Sequence, residues 1–190
     1  MIDSQAAAQG TFSHVRRETL GQFLAAALTG LGLGAPRRAK ASPTPRTLQP
    51  DDETFMRMAL SEAGQADLPF GAVIVRDGRI LATGRNLGKT NHDPTAHGEM
   101  VAIRRFVATF PAEELKGATL YTTGEPCPMC MGAILWCGFG RLVFAASIPE
   151  LATKLGQIEI ASETIARAAP FARISITGGV LAAEALALFS

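Results

Sequence analysis

The sequence predicts an α/β protein, a three-layer α/β/α sandwich around a mixed five-stranded sheet. Two observations carry that expectation. β-Rich runs alternate along the chain with stretches whose apolar residues recur at helical spacing. The first two such runs, 71–75 and 79–86, are separated only by Arg76-Asp77-Gly78, and Asp-Gly between β-rich runs is a strong hairpin signal. A hairpin followed by strands joined through helices makes the sheet mixed. A chain of 190 residues suffices for one domain with a real core, and its 47% apolar content is that of an ordinary globular protein.

Residues 1–41 stand apart from this pattern. Arg16-Arg17 precede a mildly apolar run from Leu20 to Gly34, and Ala39-Lys40-Ala41 offers an A-x-A-like cleavage site. A charged start, an apolar stretch and small residues at a cut site describe an export signal, here of twin-arginine type, which places the protein in the periplasm. Thr19 departs from that signal, which usually has an apolar residue there. The alternative is a disordered or weakly amphipathic extension of a cytoplasmic protein. The apolar run is short for a membrane span, so none is expected in the mature chain. Residues 42–50, with Pro43, Pro45 and Pro50, read as an extended linker to a domain over 51–190.

Asp51-Asp52 mark a helix start, where negative charge is favoured, and Gly64 a stop. After the hairpin, Asn86 opens a loop that runs to Pro94. Thr95 is a candidate N-cap for the second helix, with Met100, Ile103, Val107 and Phe110 as its buried stripe and Arg104 and Arg105 outward. Pro111 breaks it, and 118–123 is a buried-type strand. Gly124-Glu125-Pro126 then turns into a third helix, with Ile134, Leu135 and Trp136 as core. A strand over 141–146, short helices within 148–169, a strand over 174–177 and a helix over 180–189 complete the chain.

The chemistry concentrates between Asn91 and Cys130. His97, Cys127 and Cys130 are three ligands of the type zinc takes, and Glu99 sits two residues after the imidazole. A structural zinc site is normally closed by four protein ligands, whereas a catalytic one keeps three and leaves a position for water. Cysteines at i and i+3 share a helix face, and a helix N-terminus stabilises thiolates. A non-ligand glutamate beside three ligands reads as a proton carrier beside an activated water. Two other readings stand against this one. A redox Cys-x-x-Cys pair leaves His97 and Glu99 idle, and a structural zinc-binding module lacks a clear fourth ligand. Cys137 reads as a small buried residue and His92 as a loop residue.

His97-x-Glu99 followed by Pro126-Cys127-x-x-Cys130 resembles the signature of the cytidine deaminase-like zinc hydrolases. Pro69-Phe70-Gly71-Ala72-Val73-Ile74-Val75, Asn86, Asp93 to His97 and Cys127 to Ile134 are similar to the branch holding bacterial guanine deaminases and tRNA adenosine deaminases. The resemblance runs from about residue 51 to the C-terminus. It implies one Zn2+ per chain on His97, Cys127 and Cys130, with Glu99 as the catalytic acid–base. It also implies substrate contacts from Asn86, Phe70 and Ala96, a small amino-heterocycle as substrate, and a homodimer. Gly98 departs from it, since that family more often has alanine there.

Within the branch the residues divide. Pro128-Met129 and Gly132-Ala133-Ile134-x-Trp136 look closer to guanine deaminases, and the ending Leu186 to Ser190 lacks the basic, aromatic tail of the tRNA enzymes. Thr123-Gly124 stands where guanine deaminases usually have Ser-Cys, and Ile176 to Ala182 resembles the tRNA-editing branch. Charge bears on the same choice. The formal net charge is +1, and residues 1–41 contribute Arg16, Arg17, Arg37, Arg38 and Lys40 against Asp3 and Glu18, so the remainder is slightly acidic. That argues against a nucleic-acid partner. The expectation is therefore hydrolytic deamination of a purine base or nucleoside, guanine-type first. A tRNA adenosine deaminase and a cytosine or cytidine deaminase are the alternatives.

Overall fold

The computed structural model describes residues 48–189, so the export signal expected over 1–41 and the linker up to residue 47 lie outside the described residues. Helix α1 (Asp52–Ala63) leads into strands β1 (Gly71–Arg76) and β2 (Arg79–Arg85). Helix α2 (Gly98–Val107), strand β3 (Thr119–Gly124), helix α3 (Pro128–Cys137) and strand β4 (Arg141–Ala146) follow. Short helices α4 (Ile148–Ala152) and α5 (Ser162–Ala168), strand β5 (Ser175–Gly178) and helix α6 (Ala182–Ala187) close the domain. The sheet runs β2-β1-β3-β4-β5, antiparallel from β2 to β3 and parallel from β3 to β5. This is the mixed sheet that the hairpin and the later crossovers imply. No helix among the described residues is long and apolar enough to cross a membrane.

Local chemistry explains the hairpin. Asp77 (φ 50°) and Gly78 (φ 72°) both take positive φ, as a type I′ turn requires, and Arg76 pairs with Arg79 across it. Ile74 faces Ala82 while Val75 faces Ile80, so Leu81 is the extra residue of a bulge.

Strand alternation then sorts the core into two layers. Val73, Val75, Tyr121, Val143 and Ala145 face α1 and α6 with Met56, Ala59 and Ala185. Ala72, Ile74, Leu120, Leu142 and Phe144 face α2 and α3 with Ala102, Phe106, Met131 and Ile134. A fully buried side chain such as Phe106 stabilises the fold by about 1.5–3 kcal/mol. Helix α2 sits tight against β2 because Gly84 has no side chain: a Cβ there would lie 2.3 Å from the Gly98 carbonyl oxygen and the Ala102 nitrogen.

Three expectations about the helices need correction. Thr95 does not cap α2. Asp93 Oδ1 accepts both the Thr95 amide (2.8 Å) and its hydroxyl (2.6 Å), which holds the chain in a turn, and the helix starts only at Gly98. The buried stripe of α2 is Glu99, Ala102, Ile103 and Phe106, while Val107 and Phe110 are exposed, because the helix presents its small residues to β2. Trp136 is not core but 78% exposed, stacked on the exposed Phe171 at 4.5 Å between centroids. Helix α3 contains no charged residue, so no polar stripe marks its outward side.

A buried ion pair invisible in sequence pins α1 to the sheet. Arg141 donates to both oxygens of Asp52, at 2.6 and 2.8 Å, and Tyr121 donates its phenolic proton to Asp52 Oδ1 at 3.0 Å. Burial pushes the Asp52 carboxyl up, but hydrogen bonds from Arg141, the Gln49 amide and Tyr121 outweigh it and hold it below the usual carboxylate range.

Candidate metal centre and active site

The metal ligands are placed by two helix starts. His97 is the N-cap of α2 and Cys127 the N-cap of α3, both with extended backbone, and Cys130 lies on the first turn of α3. Their side chains converge. Cys130 Sγ is 3.6 Å and Cys127 Sγ 3.7 Å from His97 Nδ1, and the three ligand atoms all lie within 4.8 Å of one another. Two ligands on one tetrahedral zinc, with Zn–S near 2.3 Å and Zn–N near 2.0 Å, stand about 3.5 Å apart. The donor set and its spacing fit one zinc ion with its fourth position open.

Among the described residues no other group of three candidate ligands occurs. Cys137 packs half-buried against the α2–α3 core, where burial raises its thiol pKa, and His92 sits exposed on the loop at φ 51°. All three cysteines are free.

The electrostatics follow from the shared geometry. In the metal-free chain the Cys130 thiol hydrogen-bonds to Cys127 and, against burial and with help from His97, holds the Cys127 pKa down to about 4. The same bond, with burial, pushes Cys130 up. His97 is raised by its bond to Cys127, which outweighs burial. Glu99 is 5% exposed and lies outside the ligand group, and its burial pushes the carboxyl above the ordinary glutamate range.

The remaining predicted residues adjoin α2. Asn86 is buried. Its amide donates to the Phe70 carbonyl (2.9 Å), its carbonyl accepts from Asp67 (3.0 Å), and its side-chain Oδ1 accepts from the Gly88 amide (3.1 Å). Ala96 is buried, and its carbonyl accepts the Leu87 amide at 2.9 Å, closing the base of the 88–95 loop. Asp67 holds that loop from outside, accepting the Thr90 amide (2.7 Å) and hydroxyl (2.8 Å). Phe70 turns its ring edge-on to Phe189, with 5.2 Å between centroids, and covers Gly124. A Cβ at Gly98 would lie 3.0 Å from the Phe70 carbonyl oxygen, which accounts for glycine there.

Two residues of the site escaped the sequence reading. Thr123 Oγ1 accepts the Gly71 amide at 3.1 Å and so ties the start of β1 to β3. Glu125 is buried with its carboxylate on two backbone amides, and the one sequence signal for it is an acid directly before the ligand turn.

Fold and site together define a zinc-dependent deaminase of nucleobases or nucleosides. Residues 49–146, just over half of the chain, match the family described as the cytidine and deoxycytidylate deaminase zinc-binding region, and the chain belongs to that family. Its deaminases are hydrolases acting on C–N bonds. Among curated relatives, the guanine deaminase of Bacillus subtilis is 45% identical over 105 residues, covering 53% of this chain and 67% of the relative. The tRNA-specific adenosine deaminase of the same organism is 41% identical, covering 52% and 64%. The chloroplastic tRNA(adenine(34)) deaminase of Arabidopsis thaliana is 48% identical, covering 50% of this chain but 8% of its own.

Solved structures divide in the same way. A protein in complex with 2,6-diaminopurine superposes with a TM-score of 0.64 at 25% identity, covering 75% of this chain and 82% of its own. A structure from a study of tRNA:A34 deaminases editing the wobble position gives 0.63 at 34% identity, covering 71% and 98%.

Proposed function

We propose that this chain hydrolytically deaminates a free purine base or nucleoside, guanine-type first, releasing ammonia. The carrying observation is a three-ligand centre with a buried, non-ligand carboxylate two residues after its histidine. Zinc bound by His97, Cys127 and Cys130 supplies the Lewis acidity that makes water nucleophilic near neutral pH. Glu99 takes one proton from the attacking water and delivers it to the ring nitrogen beside the carbon bearing the amine, then takes the second from the hydroxyl added to that carbon and delivers it to the departing amine, as in zinc deaminases generally. A carboxyl whose burial favours its neutral form is suited to hold each proton between its pick-up and its delivery. Asn86 keeps Oδ1 on Gly88, which leaves Nδ2 to donate to the base, with Phe70 and Ala96 beside it.

The purine reading is supported by the guanine deaminase relative and by the neighbour that binds 2,6-diaminopurine. The slightly acidic remainder after residue 41 also disfavours a polyanion. Gly124 is a point of difference within the branch. A side chain there would meet the Phe70 ring at 2.8 Å and the Leu151 side chain at 2.9 Å, so this chain has no room for a cysteine at that position. The tRNA relatives, at 41–48% identity, keep adenosine in a tRNA anticodon as the second reading.

The outward face of α3, with Met129 37% and Trp136 78% exposed, supports a homodimer through this helix. Trp136→Asp should then shift the protein to monomer in sedimentation. Arg16-Arg17 and the Ala39-Lys40-Ala41 site support export to the periplasm, which N-terminal sequencing of the mature protein tests.

The reaction is tested by ammonia release from zinc-loaded full-length protein on guanine, adenine, cytosine, their nucleosides and an adenosine-containing anticodon stem-loop. Turnover on a small purine supports the proposal. Turnover on the stem-loop alone, with steep salt dependence, replaces it with the tRNA reading.

A further inference from the structure

Glu125 lies two residues before Cys127 and is 8% exposed. Its Oε2 accepts the amide of Ile148, the first residue of α4, at 2.9 Å, and its Oε1 accepts the amide of Ser162, the first residue of α5, at 2.7 Å. Its own amide donates to the carbonyl of Ala146, the last residue of β4, at 2.7 Å. The next residue is held too, since the fully buried Ser162 hydroxyl donates to the Pro126 carbonyl at 3.2 Å. The turn that delivers Cys127 is thus fastened to the end of one strand and the starts of two helices.

The arrangement is not local capping. First-turn amides lack an intrahelical acceptor and are usually satisfied by the residue just before the helix. The residue before α5 is Ala161, which has no side-chain acceptor, and Glu125 serves instead from 37 positions away. Two amide donors at one place need two acceptors, which a carboxylate has and a carboxamide lacks. Through these bonds Glu125 draws together both ends of the 148–162 segment and anchors them to the ligand turn.

We infer that Glu125 is a positioning residue for the metal. By holding the Pro126-Cys127 turn against α4 and α5, its carboxylate sets the Cys127 sulfur opposite His97 Nδ1, and zinc retention depends on it. Glu125 itself touches neither metal nor substrate. The inference rests on the assignment of His97, Cys127 and Cys130 as the zinc ligands.

Chelator competition for zinc on the full-length chain, with melting temperature measured in parallel, tests it. The wild type should bind one zinc per chain and His97→Ala should lose it; a wild type without zinc would overturn the ligand assignment, and the inference with it. Glu125→Gln puts an NH2 against a donor and should lower zinc affinity by about 10–100-fold, the range for partners behind metal ligands. Exchange of the Ile148 and Ser162 amide hydrogens should quicken.

Ser162→Pro is the second variant. It deletes the amide that Glu125 accepts at a helix position where proline is tolerated, after an Ala161 already extended at φ −59° and ψ 143°. Ser162→Ala, which keeps that amide, is its control and should lose less affinity. Folded Glu125→Gln or Ser162→Pro protein that melts lower yet holds zinc as tightly as the wild type would show a purely structural role and overturn the inference. If Glu125→Gln does not fold, Ser162→Pro decides alone.

Discussion

Asp52, 1% exposed, and Glu99, 5% exposed, are carboxylates sealed on opposite faces of the same sheet. Asp52 meets a guanidinium, a phenol and a backbone amide, and these partners overcome the cost of burial and keep it anionic. Among the described residues no guanidinium or ammonium group pairs with Glu99. Burial raises its pKa, against a lowering by the charge of the half-buried His97. Equal burial therefore separates into two roles. A buried acid with its charge satisfied fastens elements together; one whose burial favours the neutral form is suited to exchanging a proton.

The largest test of this contrast removes the Glu99 carboxyl. Zinc-loaded Glu99→Gln should lose at least about 10²–10⁴-fold in turnover by ammonia release, with its zinc content kept. Normal turnover would erase the difference between the two carboxylates. Breaking the satisfied pair should act on stability instead. Arg141→Met leaves Asp52 buried without its cation and should cost about 3–5 kcal/mol in urea unfolding. Adding Asp52→Asn should recover much of that loss, because the stranded charge is then gone.

Acid titration sharpens the same point. The Asp52 pKa is lowered on folding, so its contribution is complete above the unfolded value near 3.9 and is lost as pH falls below that through the folded value. Stability of Asp52→Asn should then depend less on pH below about 4 than that of the wild type. The smallest effect belongs to Gly98→Ala. About 1 kcal/mol of helix propensity is offset there by a Cβ 3.0 Å from the Phe70 carbonyl, so the melting temperature should not rise.

What was legible in the sequence was local or chemically distinctive. Asp77-Gly78 announced its hairpin because few turns demand two positive-φ residues, and the His-x-Glu and Cys-x-x-Cys spacings placed the ligands because metal binding admits few residue types. Partnerships across long separations left no such trace. Arg141 meets Asp52 across 89 positions and Glu125 meets Ser162 across 37, with nothing in either neighbourhood to predict it. Helix α2 does not start at Thr95 because the Thr95 hydroxyl is engaged by Asp93 and Arg104 instead of by an amide of the next turn, and such local hydrogen bonds are not encoded in apolar periodicity. Trp136 reads as core in the sequence because α3 has no charged face to show which side is out.

The Leu87–Ala96 hydrogen bond at the base of the 88–95 loop has a consequence for protein engineering. Within the loop, Gly88 and Thr90 are fastened to Asn86 and Asp67, and Asp93 closes a smaller ring by donating its amide to the Gly88 carbonyl at 3.1 Å, whereas the Asp93 and Thr95 carbonyls accept the amides of Ala96 (3.0 Å) and His97 (2.8 Å) and so support the histidine ligand. The loop is in effect a cassette with a fixed socket. Segments of other lengths and compositions can be grafted between Gly88 and Asp93 to screen for new substrates, with Asp93 and Thr95 kept so that the reaction centre stays where it is.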